Sequence, residues 1–263
     1  MKLILVIILT IILIIAMFDY EQIKLLFYSV QPFSSSSSQN NISLNSSKIA
    51  IITAEDRDED YINYHDLSFQ KYCDLYGYDY IRTTNCPKEE STTYWCKIYK
   101  VKKALDSGKY DYVMWADSDI IITDPHISLG SIIKESGEPD IIIGKDTWFT
   151  SIINIICAGI FLIKNSKNGI CFIDDCLSKI NKKSSYCVHN NKEQGIWAGI
   201  CYEQGVMNLL IREKYKNTYI DTENKYFFNC TPTSKYDSFK TVFLHLAGWG
   251  NESRANIFKK YLY

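Results

Sequence analysis

The sequence lacks an excess of charge of either sign. Its 263 residues include 29 Lys and Arg against 30 Asp and Glu, a formal net charge of -1, and the basic residues are scattered rather than clustered. Proteins that bind nucleic acid present a basic surface to the phosphates, so this balance argues against that class of partner. With 46% hydrophobic residues and no internal repeat, the folded part is expected to form one domain.

Cys-x-x-Cys spacing is also absent, although nine cysteines occur. Zinc sites commonly take paired ligands at that spacing, so structural disulfides and buried thiols are the better interpretation. An odd number leaves at least one thiol unpaired, and spacing alone does not give the pairing. The cysteines occupy positions 73, 86, 96, 157, 171, 176, 187, 201 and 230.

An apolar run from Leu3 to Phe18 is interrupted only by Thr10 and lies between Lys2 and Asp19. As a helix it would span about 24 Å, slightly less than the roughly 30 Å hydrocarbon core of a bilayer. The charge asymmetry places the N-terminus in the cytosol, and residues 1–18 are predicted to be a transmembrane signal anchor. A cleaved signal peptide is the alternative, although the residues that follow lack the small-residue spacing of a cleavage site.

Residues 19–47 contain a serine run and several asparagines, with too little apolar material for a core. We predict a flexible stem there, followed by a catalytic domain over 48–263. Either interpretation of the apolar run places the remainder in the secretory lumen or outside the cell. Four N-x-S/T sequons support that placement, at Asn41, Asn45, Asn229 and Asn251.

Beyond Lys48, short β-type runs alternate with amphipathic helical patterns. This alternation predicts an α/β fold with a mixed, mostly parallel sheet flanked by helices. An acidic loop is expected from Glu55 to Asp60, and Gly77 is expected to end the first helix. The predicted strands cover 48–53, 78–82, 112–116, 140–144, 159–163 and 242–244, and the predicted helices 69–76, 94–107, 169–180 and 204–214.

Asp117, Ser118 and Asp119 directly follow the predicted strand 112–116. Ligands of open α/β sheets bind beyond the carboxyl ends of the strands. Two carboxylates one residue apart can bind a hard divalent cation, which stabilises a diphosphate leaving group. Apolar runs flank both acids, so their desolvation requires a positive partner. The alternative is a turn with an Asx cap, the usual explanation of this common triplet.

His245 is the candidate third metal ligand. It follows the apolar run 241–244 and precedes the glycine-rich turn 247–250, whereas the other three histidines lack such a setting. A histidine with satisfied hydrogen bonds at a strand end is the alternative interpretation. Glu203 and Gln204 begin a predicted helix, where either could be a simple capping group.

Taken in order, several segments resemble glycosyltransferase family 34, which contains fungal Golgi galactosyl- and mannosyltransferases and plant xyloglucan xylosyltransferases. The resemblance extends over nearly all of 48–262, as in a divergent member. It is carried by Phe69 to Cys73 with Gly77 to Tyr80, Trp95 to Lys97, Tyr110 to Tyr112, Trp115 to Asp119, Cys157 to Ser166, Glu203 with Gln204, and His245 to Gly248.

The resemblance implies a GT-A (nucleotide-diphospho-sugar transferase) fold and a single-pass type II protein of the Golgi or another secretory membrane, with its catalytic domain in the lumen. It also implies Mn²⁺ or another divalent cation, a UDP- or GDP-linked sugar donor, a glycan or glycoprotein acceptor, and retention of anomeric configuration. An inverting or glycogenin-like enzyme of the same fold, and an inactive sugar-binding relative, are the alternatives. The donor sugar and the acceptor are not encoded in the motifs.

Residue by residue, the resemblance assigns Asp117, Asp119 and His245 to the metal. Donor binding is assigned to Asp117 and to a further set comprising Thr53, Ala54, Lys97, Ser118 and Gly248. Lys97 is the basic residue near the nucleotide, although a solvated helix lysine would have the same pattern. Ala158 and Gly159 are expected to let the backbone approach a donor sugar, with packing as the alternative.

Gln204 and Glu203 are the residues that the resemblance places at the reaction centre. In a retaining reaction Gln204 would stabilise positive charge at the anomeric carbon, while in an inverting reaction Glu203 could act as the base. The family has a cationic residue shortly after its His-x-x-Gly turn, where this chain has Trp249, Gly250 and Asn251. Arg254 is the candidate substitute, and Asn251 is expected to remain unglycosylated because a glycan there would crowd the site.

Overall fold

The computed structural model describes residues 47–84, 86, 93–147, 156–180, 187–189, 192–193, 199–230, 232 and 241–262. The predicted anchor and all but the last residue of the predicted stem lie outside this set. None of the helices within it is long and apolar enough to cross a membrane. The described residues belong to one unit, Asn45–Tyr263.

A six-stranded sheet forms the centre of this unit, in the order β2-β1-β3-β6-β5-β9. All neighbours run parallel except β6, which is antiparallel to both β3 and β5. The strands among the described residues are β1 (Ile49–Ala54), β2 (Asp79–Thr83), β3 (Tyr112–Ala116), β4 (Ile120–Ile122), β5 (Ile141–Lys145), β6 (Ile156–Lys164), β7 (Val188–His189), β8 (Lys192–Glu193), β9 (Thr218–Asp221), β10 (Phe227–Asn229) and β11 (Phe243–His245).

A second sheet of three strands has the order β10-β11-β4. Within it, β11 is parallel to β10 and antiparallel to β4. The chain passes from the central sheet to this sheet in the turn between β3 and β4. Strands β7 and β8 form a separate antiparallel pair.

Helices cover both faces of the central sheet, as the sequence predicts. The apolar residues of α2, α4 and α5 pack on one face. Those of α1 and α3 pack on the other, with Phe227 and Phe243 of the second sheet and with Tyr226, which precedes β10. The helices are α1 (Asp60–Tyr76), α2 (Cys96–Asp106), α3 (Leu129–Glu135), α4 (Lys167–Ser178), α5 (Glu203–Glu213) and α6 (Asn251–Phe258).

The predicted end of α1 is confirmed. Gly77 adopts the left-handed conformation with φ 71°, and its N–H donates to the carbonyl of Cys73. A residue with a Cβ is strained in that conformation, so glycine gives this helix a defined end. The helix begins at Asp60, where the predicted acidic loop ends.

Two disulfides, Cys86–Cys96 and Cys187–Cys201, connect loop residues to the start of α2 and to the segment before α5. The other five cysteines are not in disulfides. The structure therefore supplies the pairing that spacing alone did not, and it agrees with the preference for disulfides and buried thiols over zinc.

The pairing of β6 with β5 is irregular next to β3. Ile143 is opposite Phe161, but the next residue of β5, Gly144, is opposite Cys157. Residues 158–160 of β6 are thus left outside the pairing with β5. Such irregularities change the direction of side chains and backbone groups locally. This one lies at the carboxyl edge of the parallel strands.

Candidate active site

The turn between β3 and β4 carries Asp117 and Asp119 to the carboxyl edge of the central sheet. The amide of Asp117 donates to the carbonyl of Gly159 at 2.8 Å, and the amide of Ile120 donates to the carbonyl of Asp117 at 3.2 Å. His245 ends β11 directly opposite Ile120 of β4. Antiparallel pairing of two short strands therefore brings His245 next to Asp119, although the two are far apart in sequence.

These three side chains form a compact set of possible metal ligands. One ligand atom from each of Asp117, Asp119 and His245 lies within 4.8 Å of the others. Ligands at ~2.1 Å from an octahedral cation are separated by ~3 to ~4.2 Å. The Nε2 of His245 lies 3.0 Å from Oδ1 of Asp119, which is within that range. The residues present therefore fit a divalent cation with two carboxylate ligands and one imidazole ligand.

Asp119 is a full carboxylate at neutral pH. Burial raises its pKa, but His245 and Arg254 more than offset this effect and lower the pKa to about 2. For His245 the balance has the opposite sign: burial lowers the pKa of the imidazole, while Asp119 raises it well above its usual value. The two groups thus stabilise each other as carboxylate and imidazolium. Because a metal-bound imidazole must be neutral, a cation that binds here has to displace the proton of His245.

Lys97 lies in the first turn of α2 and is only 6% exposed. Its Nζ lies 3.1 Å from Oδ1 of Asp117 and 3.1 Å from Oε1 of Glu203, and it donates to the carbonyl of Ala158 at 3.1 Å. Burial alone lowers the pKa of this amine, but the carboxylates of Asp117 and Glu203 reverse the effect and raise it. The solvated-lysine interpretation is therefore wrong, and Lys97 remains a cation beside Asp117.

Glu203 and Gln204 are the first two residues of α5, and both are buried. The Oε1 of Gln204 accepts from the amide of Ala158 at 2.9 Å, and its Nε2 donates to Oδ2 of Asp146 at 3.0 Å. Gln204 therefore joins α5 to β6 rather than capping its own helix. Burial raises the pKa of Glu203, and the pairing with Lys97 offsets part of this shift.

Arg254, in the first turns of α6, contacts Asp119 on its other oxygen. Its Nη2 lies 2.8 Å from Oδ2 of Asp119, its Nε donates to the carbonyl of Leu246 at 3.2 Å, and its Nη1 donates to Asn251 at 3.5 Å. The candidate substitute cation thus lies at the metal-ligand set. All three of its nitrogens contact protein groups, so its direct effect is to orient Asp119.

The other predicted donor-binding residues are distributed around this edge. The hydroxyl of Ser118 donates to Oε2 of Glu55 at 2.6 Å, away from the metal-ligand set. Thr53 is wholly buried within the sheet, whereas Ala54, the last residue of β1, is partly exposed. Gly248 is exposed in the turn after β11, with φ 74°.

Sequence reasoning did not connect Cys157 or Gly159 with His245. A Cβ at Gly159 would lie 2.3 Å from Cε1 of His245, so the imidazole packs directly on the Gly159 backbone. The expectation that Gly159 makes room for a donor sugar is thus corrected, because His245 occupies that space. The Sγ of Cys157 lies 3.5 Å from Nδ1 of His245.

Two further residues at the site gave no recognisable sequence signal. Glu55 bonds Ser118 and accepts from Nε of Arg57 at 2.8 Å; burial raises its pKa, but Arg57 and Ser118 lower it to about 2. Asp146 accepts from Gln204 and, at 3.2 Å, from Nδ2 of Asn229. Asn229 is therefore a 5%-exposed residue of β10 within this hydrogen-bond network, rather than an accessible glycosylation site.

The sheet order and the metal-ligand set at its carboxyl edge define a GT-A fold, which the comparison with solved structures supports. A glycosyltransferase involved in the glycosylation of the major capsid of PBCV-1 superposes with a TM-score of 0.60 over 81% of this chain and 99% of that chain, at 14% identity. The predicted fold is confirmed.

Sequence comparison gives a partial match. "Glycosyltransferase 6" of Arabidopsis thaliana is 29% identical over an alignment of 110 residues that covers 39% of this chain. The match spans about a quarter of that protein, 24% of its length. No family model matches the chain. Membership of glycosyltransferase family 34 therefore stays a prediction.

Proposed function

We infer that this chain is a metal-dependent glycosyltransferase that moves a sugar from a UDP- or GDP-linked donor to a glycan or glycoprotein acceptor. The observation that carries the inference is the compact set of Asp117, Asp119 and His245 at the carboxyl edge of a GT-A sheet. That edge is where open α/β sheets bind ligands. The partial similarity to Glycosyltransferase 6 supports the same class of reaction.

Mn²⁺ or another hard divalent cation is the proposed ligand of Asp117, Asp119 and His245. When bound, such an ion supplies positive charge to the diphosphate leaving group. Lys97 places a second positive charge beside Asp117, and Arg254 keeps Asp119 oriented from the opposite side. These contacts pre-organise the carboxylates, which is the main contribution a protein makes to such a site.

Retention of configuration is the proposed stereochemical outcome. An inverting enzyme needs a carboxylate base that can reach the acceptor hydroxyl. Glu203 is buried and its Oε1 pairs with Lys97, an arrangement that disfavours this role. Gln204 is held in one orientation between Ala158 and Asp146, which suits a fixed dipole near the anomeric carbon.

A secretory compartment is the proposed location, with residues 1–18 anchoring the chain as a type II protein of the Golgi or a related membrane. The two disulfides favour an oxidising environment. Protease protection of the full chain in intact microsomes tests this topology. Digestion of residues 48–263 without detergent would contradict it.

The reaction is tested by a screen of UDP- and GDP-sugars for release of the nucleoside diphosphate. We expect at least one donor to be hydrolysed with Mn²⁺ and none with EDTA, and Asp117→Asn prepared identically controls for contaminating hydrolases. NMR of the product with an acceptor gives the anomeric configuration. Donor binding without turnover would favour a sugar-binding protein, and neither binding nor turnover would refute the proposed function.

A further inference from the structure

The imidazole of His245 has two nitrogens, and a metal ion can take only one of them. The second nitrogen of a metal-bound histidine usually donates its hydrogen to a carboxylate, a carbonyl or water, which fixes the tautomer and the ring orientation. In this chain Nε2 faces Asp119 and the metal-ligand set, at 3.0 Å from Oδ1. Nδ1 faces the sulfur of Cys157 at 3.5 Å.

Burial and packing leave this imidazole little freedom. His245 is 5% exposed and Cys157 is 4% exposed, so bulk water does not compete for Nδ1. The backbone of Gly159 packs against Cε1 so closely that any Cβ there would collide with the ring. Cys157 and Gly159 flank the same short stretch of β6, where its pairing with β5 is irregular. One strand therefore determines both the plane of the ring and the partner of Nδ1.

We propose that Cys157 is a positioning residue for the metal site: its sulfur accepts the Nδ1 hydrogen of His245, which leaves Nε2 for the divalent cation. A thiol sulfur is a weak acceptor that carries no charge. The imidazole is thereby oriented without a further carboxylate beside Asp117 and Asp119. This inference rests on the metal site of the proposed function, and it concerns only how the chain presents His245.

Substitution of Cys157 tests the hydrogen bond in the full chain by Mn²⁺ calorimetry. Cys157→Val removes the acceptor and adds the bulk of about one methyl group, as the control Cys73→Val also does. We expect Mn²⁺ affinity to fall about tenfold in Cys157→Val, as for other partners of metal-bound histidines. Cys157→Ser restores an acceptor and is expected to recover most of the affinity. Cys73→Val removes a buried thiol of α1 on another part of the fold and should bind Mn²⁺ like the wild type.

The hydrogen bond can also be tested in the wild-type protein, so that the result does not depend on whether the variants fold. With ¹⁵N-labelled histidine and diamagnetic Mg²⁺, the ring nitrogens of His245 are expected to show a protonated Nδ1 and a coordinated Nε2. The His245 signals are assigned by their loss in His245→Ala. The thermal midpoints of the ion-free variants report any simple loss of packing separately.

The outcomes separate the two proposals. Weak binding by Cys157→Val with recovery by Cys157→Ser supports the inference. Wild-type affinity in Cys157→Val, equal loss in both variants, or coordination through Nδ1 overturns it while leaving the metal site intact. If the wild-type chain binds neither Mn²⁺ nor Mg²⁺, the metal-dependent function fails, and this inference fails with it.

Discussion

Acidic residues lie at both edges of the central sheet, and the two groups have different partners. At the amino edge, Asp140 precedes β5 and accepts from neutral donors: Ser166 at 2.5 Å, Asn168 at 3.0 Å and Asn217 at 2.9 Å. At the carboxyl edge, Asp117 and Asp119 face Lys97, His245 and Arg254. We call these groups the amino-edge cluster and the carboxyl-edge cluster.

The difference separates a structural role from a functional one. Neutral hydrogen bonds satisfy the single carboxylate of the amino-edge cluster and connect the starts of β5 and β9 with the start of α4. The carboxyl-edge cluster concentrates charges that are expensive to desolvate, an arrangement usually retained for function rather than for stability. Substitutions in the amino-edge cluster should therefore reduce stability, and substitutions in the carboxyl-edge cluster should reduce activity.

The largest expected effect is on the turnover of Asp117→Asn. Loss of one metal ligand should lower turnover about a thousandfold. The free energy of unfolding should change far less than turnover does, because asparagine keeps an oxygen for the indole N–H of Trp115 and Glu203 still pairs with Lys97. Donor hydrolysis and urea unfolding measure the two quantities. A large loss of stability without loss of turnover would contradict the functional role of the carboxyl-edge cluster.

Asp140→Ala should lower the free energy of unfolding and leave turnover almost unchanged. The donors of Ser166, Asn168 and Asn217 lose their acceptor, and we expect the free energy of unfolding to fall by about 2 kcal/mol. Turnover of the folded protein should stay within about twofold of the wild type. Glu213→Ala, which removes an exposed carboxylate of α5, is the matched control in urea unfolding.

The smallest expected effect is the pH dependence of the stability that Asp140 contributes. Burial raises the pKa of Asp140, but Ser166, Asn217 and Asn168 more than offset this and lower it below its usual value. The carboxylate therefore contributes stability that is fully present above its unfolded pKa of about 3.9 and is lost as the pH falls through the folded pKa. Urea midpoints of wild type and Asp140→Ala should converge below about pH 4. A constant gap would show that ionisation of Asp140 does not matter.

Sequence patterns predicted the longer elements and the metal-ligand set. Strand β3 and the acids after it are visible because an apolar run ends abruptly in Asp117. Strands β4 and β10 have only three residues each and are not among the predicted strands, because tertiary pairing rather than local pattern decides their existence. Strand β11 is equally short, but the apolar run 242–244 predicts it. The prediction found His245 from its setting, but only the β4–β11 register shows why it meets Asp119.

The residues that orient the site could not be predicted in the same way. Cys157 lies at the irregular pairing of β5 and β6, and Asp146 directly follows β5. No composition or spacing signal specifies that irregularity. Lys97 has the ordinary pattern of a helix lysine, and its position in the site depends on Asp117, Ala158 and Glu203, which lie in other elements of the chain. Such roles depend on contacts between elements distant in sequence.

The buried amide of Asn229 has a consequence for biosynthesis. Its sequon, Asn229-Cys230-Thr231, is accessible to a glycan-transferring enzyme only while the chain is still unfolded. A glycan attached at that stage would prevent β10 from joining β11, because the same side chain must enter the network around Asp146. In the secretory location proposed above, β10 would therefore have to fold before a glycan is transferred to Asn229.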